Sequence, residues 1–140
     1  MRNIQGQSYS NANLFIQQQS IHKHFECFNC KVKGDSLTCY GKIIPEEGCQ
    51  EYRVKIQQKR GQAPKAWIIK PQIKYNRNIH MFEEDNSLCL YDCRINPWQS
   101  KDYIYSSIIP WIAEWIVLYE LYIIHGQWLG PEAPHYINYD

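Results

Sequence analysis

Apolar and polar residues alternate through the first half of the chain, and apolar residues crowd together near its end. Tyr52, Val54 and Ile56 alternate with Arg53, Lys55 and Gln57, the period of a half-buried strand. Phe25, Cys27 and Asn29 alternate in the same way with Glu26, Phe28 and Cys30, so residues 25–32 are expected to be extended. Gly34-Asp35-Ser36 is a turn signal. Leu37–Ile44 reads as the next strand, closed by Pro45-Glu46-Glu47-Gly48. Ala66–Lys70 reads as the last, ended by Pro71, which cannot donate to a sheet ladder. Four strands with short connections make an antiparallel meander, because parallel pairing needs long crossovers.

Two helices flank these strands. Ser8–Ile21 is expected to be helical, capped by Ser8 or Ser10, with Ala12, Leu14, Phe15, Ile16 and Ile21 as its apolar residues. A second helix is capped by Ser106 or Ser107, tolerates Pro110 in its first turn and stops at Gly126. It runs through Trp111, Ile112, Trp115, Ile116, Tyr119, Tyr122 and Ile123, with Leu118, Leu121 and Ile124 apolar as well. A helix apolar on nearly every face is expected to be buried on more than one side: either the domain wraps it, or part of it waits for a partner. Its core, residues 108–124, carries Glu114 and Glu120 and is short for a membrane span. Residues 75–98 hold no long element and read as a structured loop, the kind of segment that carries function on a rigid scaffold. The fold class is therefore α+β in one domain, 1–140: an N-terminal helix, a four-stranded antiparallel meander, a loop and a long C-terminal core helix.

Composition adds little. The 140 residues carry a formal charge of +1, with 11 tyrosines and 5 tryptophans. That balance gives no global pull towards nucleic acid or an anionic membrane, and neither partner is expected. The amino terminus lacks the apolar core of a signal peptide, so a cytoplasmic location is expected. The six cysteines, at 27, 30, 39, 49, 89 and 93, then read as reduced thiols. Cys27-x-x-Cys30 with Cys89-x-x-x-Cys93 would make a four-thiolate zinc site only if Cys27 and Cys30 shared a face, which a strand forbids. No metal and no cofactor are expected.

Residues 53–77 hold eight of the fifteen basic residues and no acidic one. A docking surface for an acidic partner or nucleic acid competes here with a solvated hairpin. The latter is favoured because no aromatic residue is expected on the same face. His125 falls at a helix carboxyl end, a structural position. His135, in the irregular tail, has no role that residue type alone can assign.

The chemistry is concentrated between His80 and Trp98. Cys89 sits between Leu88 and Leu90, just after the acidic, turn-like run Glu83-Glu84-Asp85-Asn86. Such a cysteine is a buried filler, a metal ligand or a nucleophile, and residue type alone favours the filler. A nucleophile needs access, thiolate character and a polar group to support an oxyanion; Asn78, His80 and Asn86 are the nearby candidates.

The order of elements, with His80, Leu88-Cys89-Leu90 and Trp98, resembles the ubiquitin-conjugating enzyme fold. His80-Met81-Phe82, Leu88-Cys89-Leu90-Tyr91, Ile109-Pro110-Trp111, Trp115, Tyr119-Glu120 and Gly126-Gln127-Trp128-Leu129-Gly130 with His135 are similar to a bacterial branch. That branch is encoded beside cGAS-like nucleotidyltransferases in cyclic-oligonucleotide-based anti-phage signalling (CBASS) operons. The resemblance spans residues 25–135. It implies that Cys89 accepts a partner's carboxyl-terminal residue as a thioester and passes it to an amine. It also implies that the nucleotidyltransferase is that partner, and that His80 is mainly structural. Self-association is left open. The eukaryotic His-Pro-Asn pattern is not kept: Met81-Phe82 follow His80, so Asn78 or Asn86 would have to serve. The chain is too short to hold an adenylating domain. Two other readings stand beside the acyl carrier, a non-catalytic module that binds the nucleotidyltransferase and a small zinc protein.

Overall fold

The structure, a computed structural model, describes residues 2–47 and 50–129, with side chains from residue 13 onward. The chain runs α1 (Arg2–His24), β1 (Phe28–Lys33), β2 (Ser36–Ile43), β3 (Tyr52–Lys59), β4 (Lys65–Lys70) and α2 (Ile108–His125). The strands form one antiparallel sheet in the order β1-β2-β3-β4, the expected meander. The β1–β2 turn is a two-residue hairpin with Gly34 at φ 59°, a left-handed position that glycine adopts without steric cost.

Alternation holds on β1, β2 and β3 and breaks on β4, whose pairing with β3 shifts between Arg53 and Val54. Phe28 and Cys30 on β1, Leu37, Cys39 and Ile43 on β2, Tyr52, Val54 and Ile56 on β3 and Ala66 on β4 are buried on one face. Phe28 stands opposite Gly41, and a Cβ on Gly41 would lie 2.5 Å from the Phe28 ring. The glycine is there because the aromatic ring lies across it.

The helices differ from the sequence reading in extent and phase. α1 begins at Arg2, so Ser8 and Ser10 lie inside it and neither caps it. Its buried stripe is Leu14, Gln17 and Ile21, at i, i+3 and i+7, while Phe15 and Ile16 face solvent. Gln17 closes the stripe with polar contacts: its Nε2 donates to Asp102 O at 2.8 Å and its Oε1 accepts the Ile104 amide at 2.9 Å. Ser107 takes the N-cap position of α2, but its hydroxyl donates backwards to Tyr103 O at 2.6 Å and caps nothing. Gly126, at φ 78°, ends α2 as expected, its amide donating to Tyr122 O.

α2 is long and apolar enough to cross a membrane by length and composition. Its first half, Ile108, Ile109, Ile112, Trp115 and Ile116, is buried in the core, as in a core helix. Burying each isoleucine contributes roughly 1.5–3 kcal/mol. Of the two alternatives for this helix, the domain does not wrap the far end, where Ile123 and Ile124 are exposed. In the second half Tyr119 and Tyr122 pack against the core and polar contacts are added: the Tyr52 hydroxyl donates to Glu120, and Asn76 Nδ2 donates to the Tyr122 hydroxyl at 3.1 Å.

Two further expectations are corrected. Cys30 and Cys39, paired directly across β1 and β2, are joined by a disulfide, so not all the cysteines are free thiols. Their Cα atoms are 4.0 Å apart, a separation set by strand register. Cys30 is thereby removed from the zinc pattern, and Cys27 lies before the strand, exposed. The basic strands are not free of aromatic neighbours either. Register places Tyr40, Lys55 and Trp67 in one row on the outer face, with Lys55 Nζ 5.9 Å from the Tyr40 ring centroid and 5.3 Å from that of Trp67.

Candidate functional site

Between β4 and α2 the chain has no helix or strand, but residues 80–89 close into a tight hairpin. Met81 and Leu88 form its one bridge. Phe82 N donates to Ser87 O and Asn86 N to Phe82 O, each at 2.8 Å, and Cys89 N donates to His80 O at 2.9 Å. The hairpin is fixed to the sheet by Leu88 N, which donates to Ala66 O at 2.8 Å.

Asp85 holds the tip. Its Oδ1 accepts from the Ser87 amide at 2.9 Å and the Ser87 hydroxyl at 2.6 Å, a local Asx turn. Its Oδ2 accepts from Lys65 Nζ at 2.7 Å, and its carbonyl accepts from Trp67 Nε1 at 3.0 Å. Partial burial alone would raise the carboxyl's pKa, but hydrogen bonds from Lys65 and Ser87 outweigh it and lower the value to about 2.

The base of the hairpin is pinned from α2. Trp115, 3% exposed, donates its indole N–H to Ile79 O at 2.9 Å and to His80 O at 3.1 Å. His80 has a left-handed backbone, φ 57°, and its ring packs on Trp128 with centroids 5.0 Å apart. A non-glycine residue in that region is held by its surroundings, here by two donors on its carbonyl and a ring on its side chain.

Cys89 is 8% exposed, between the buried Leu88 and Leu90. Burial pushes its thiol up to about 12, and the neighbouring Cys93 and Asp92 add to the shift. At neutral pH the thiolate is on the order of one molecule in 10⁵. The sulfur lies 4.0 Å from the Tyr91 carbonyl oxygen. Beyond it the chain turns on Asp92, itself 4% exposed in its side chain, whose carboxylate accepts from the Arg94 amide at 2.9 Å and Arg94 Nε at 3.2 Å. Its carbonyl accepts the amides of Ile95 and Asn96.

Two clefts flank this segment. One, of about 340 Å³, lies between α1, the β3–β4 turn and residues 91–100, with Leu14, Gln58 and Trp98 in its wall. The other, of about 260 Å³, lies beside the hairpin, walled by Pro64, Phe82, Leu88 and Leu90. Tyr91 and the exposed Cys93 line both, and Cys89 lines neither.

Of the residues singled out from sequence, the structure brings His80 and Cys89 together, through the His80 carbonyl and the Cys89 amide. Asn86 stands at the hairpin tip, exposed, at φ 62°. Asn78 is exposed, and its amide donates to Asn76 Oδ1 at 2.8 Å. Neither asparagine side chain hydrogen-bonds to Cys89. His135 lies outside the described residues. Among the described residues no three His, Cys, Asp or Glu side chains converge as metal ligands. Sequence reasoning passed over Asp85, Asn76, Asp92 and the anchoring role of Trp115. Asp85-x-Ser87 and Asp92-x-Arg94 were readable as local turns; the roles of Asn76 and Trp115 depend on contacts far along the chain.

A family model described as Type II CBASS E2 protein matches residues 17–136. The chain therefore belongs to that family, as the motifs around His80, Cys89 and Trp115 led one to expect. No curated protein matches it.

Proposed function

We propose that this CBASS E2 protein is an acyl carrier whose nucleophile is Cys89. The carboxyl-terminal acyl group of a partner, a cGAS-like nucleotidyltransferase, arrives already activated. The Cys89 sulfur bonds to the acyl carbon, the thiol proton leaves to a base or solvent, and the activating group departs with the bonding electron pair. An amine then attacks the thioester, forms an amide and returns the thiol. Asn78 or Asn86, both exposed on the same loop, is the proposed donor to the oxyanion in this step.

The observation that carries this reading is the fixing of the Cys89 amide by the His80 carbonyl, in a hairpin anchored both to β4 and to α2. Thioester exchange needs its sulfur held to a narrow range of positions, and this hairpin holds the cysteine's backbone from both sides. A thiol near pKa 12 stays protonated in the free protein, and in this reading it gives up its proton only as its bond to the acyl carbon forms. In the free protein Cys89 is thus protected rather than primed.

The low exposure of Cys89 favours a second reading, a non-catalytic module that grips the nucleotidyltransferase. Co-purification from cells carrying the neighbouring operon proteins, followed by electrophoresis without reductant, separates the two. A thiol-labile band kept in Cys93→Ala and lost in Cys89→Ala supports the acyl carrier. A partner that co-purifies with both variants and with no covalent band supports the binding module.

A further inference from the structure

We infer that the solvent-facing side of the sheet binds single-stranded nucleic acid. The four strands contain eight lysine and arginine residues and no aspartate or glutamate. Register places all eight on the outer face. Lys31 lies in the row of Thr38, Gln57 and Lys65; Lys33 shares a row with Ser36 and Lys59; Lys42 pairs with Arg53 and Arg53 with Lys70. The whole chain carries only +1, so the excess is local to this face.

Carboxylates reach only its margins. Glu51 lies 4.0 Å from Lys42 and 3.5 Å from Arg53, and Asp85 lies 2.7 Å from Lys65. Lys31, Lys33, Lys55, Lys59 and Lys70 have no carboxylate partner among the described residues. Successive outward positions on a strand are about 6.7 Å apart and neighbouring strands about 4.8 Å, so these cations form a lattice over the face. A merely solvated face mixes the two signs of charge, and this one does not.

Aromatic rings lie at the centre of the lattice. Tyr40 is 53% exposed, Trp67 is half-buried, and Lys55 Nζ stands over both rings. The Trp67 indole is held in place by its bond to Asp85 O. An acidic protein would be satisfied by the charges alone. An exposed tyrosine and a half-buried tryptophan among cations that lack carboxylate partners match a ligand that has both phosphates and planar bases. The face of a four-stranded antiparallel sheet gives a single strand a surface to lie along, with its bases against the rings. The inference is independent of Cys89.

The test is fluorescence anisotropy of the full chain with a labelled oligothymidylate of about twenty nucleotides, against an oligoglutamate of about twenty residues, from about 50 to about 200 mM salt. The variants are Lys55→Glu, the double Lys31→Glu/Lys33→Glu on the edge strand, and Tyr40→Ala, each checked for folding by circular dichroism. Wild type is expected to bind the oligonucleotide at least about tenfold tighter than the peptide, with a log–log salt slope near −3.5 for five phosphate contacts. The charge reversals should weaken that binding by more than about tenfold, and Tyr40→Ala by roughly tenfold without altering the peptide. Equal binding of the two polymers would make the face an acidic-protein site and overturn the inference. So would no binding at low salt, or binding unchanged in both folded charge-reversal variants.

Discussion

Trp115 holds the carbonyl of His80: its indole N–H lies 3.1 Å from that oxygen, which also receives the Cys89 amide at 2.9 Å. A residue on the C-terminal helix thus fixes the backbone of the loop that carries the thiol, 26 positions earlier in the chain by the numbering of Cys89 and Trp115. Trp115→Phe keeps an aromatic side chain but removes the indole donor and leaves a small cavity. It should cost at least about 1–3 kcal/mol, since the buried Ile79 carbonyl loses its partner and the ring's packing is reduced. The denaturant midpoint should fall, and hydrogen exchange at the Cys89 amide should quicken. A variant with both values unchanged would show that the indole does not anchor the hairpin.

Asp85 makes the hairpin acid-sensitive. Its folded pKa, about 2, lies below the ordinary 3.8, so its stabilisation is complete above about 4 and is lost as pH falls from there through about 2. The protection factor of the Leu88 amide, which bonds to Ala66 O, should fall across that window in wild type once the intrinsic pH dependence of exchange is divided out. Asp85→Asn should be less protected at neutral pH and should show little further change in that window. An Asp85→Asn profile that still falls in step with wild type would assign the acid sensitivity elsewhere.

Cysteine reactivity should be sharply unequal. Cys27 and Cys93 are exposed, whereas Cys89 is buried with its thiol raised from 9.0 to about 12. At pH 8, the raised pKa alone should slow iodoacetamide alkylation of Cys89 on the order of a thousandfold relative to an ordinary thiol, and its burial adds to the contrast with the exposed Cys93. The Cys89 rate should rise about tenfold per pH unit above that point. Peptide mapping of a time course reads both. Labelling of Cys89 as fast as Cys93 in the free protein would contradict a protected thiol.

Gly41 is required by its partner across the sheet. In Gly41→Ala the new methyl would sit 2.5 Å from the Phe28 ring, in the core. The substitution should cost about 1–3 kcal/mol by overpacking. Adding Phe28→Leu should restore part of that loss, which a double-mutant cycle of thermal melts would read as coupling. Additive effects would mean that the ring and the glycine do not depend on each other.

The sheet was legible because Tyr52, Val54 and Ile56 set a period of two that no helix shares, and the short Gly34-Asp35 connection forced antiparallel pairing. α1 was only half legible. Leu14, Phe15 and Ile16 are adjacent and equally apolar, and only packing selects Leu14 with Gln17 and Ile21 as the inward stripe. The Cys30–Cys39 disulfide and the Tyr40–Lys55–Trp67 row were hidden for one reason. Both depend on cross-strand register, which the composition of a single strand does not carry. At the candidate site, Cys89 and His80 stood out by residue type and resemblance. The anchors, Trp115 and Asp85, work through carbonyl oxygens and amides, which look the same at every position of a sequence.

The central claim is that Cys89 carries an acyl group, and intact-mass analysis without reductant tests it most directly. Wild type, Cys89→Ser and Cys89→Ala would be purified after co-expression with the neighbouring operon proteins. The account predicts a protein-sized adduct on wild type that thiols remove, a thiol-resistant adduct on Cys89→Ser, and none on Cys89→Ala. An adduct that persists on Cys89→Ala, or its absence from all three while the partner still co-purifies, would contradict it.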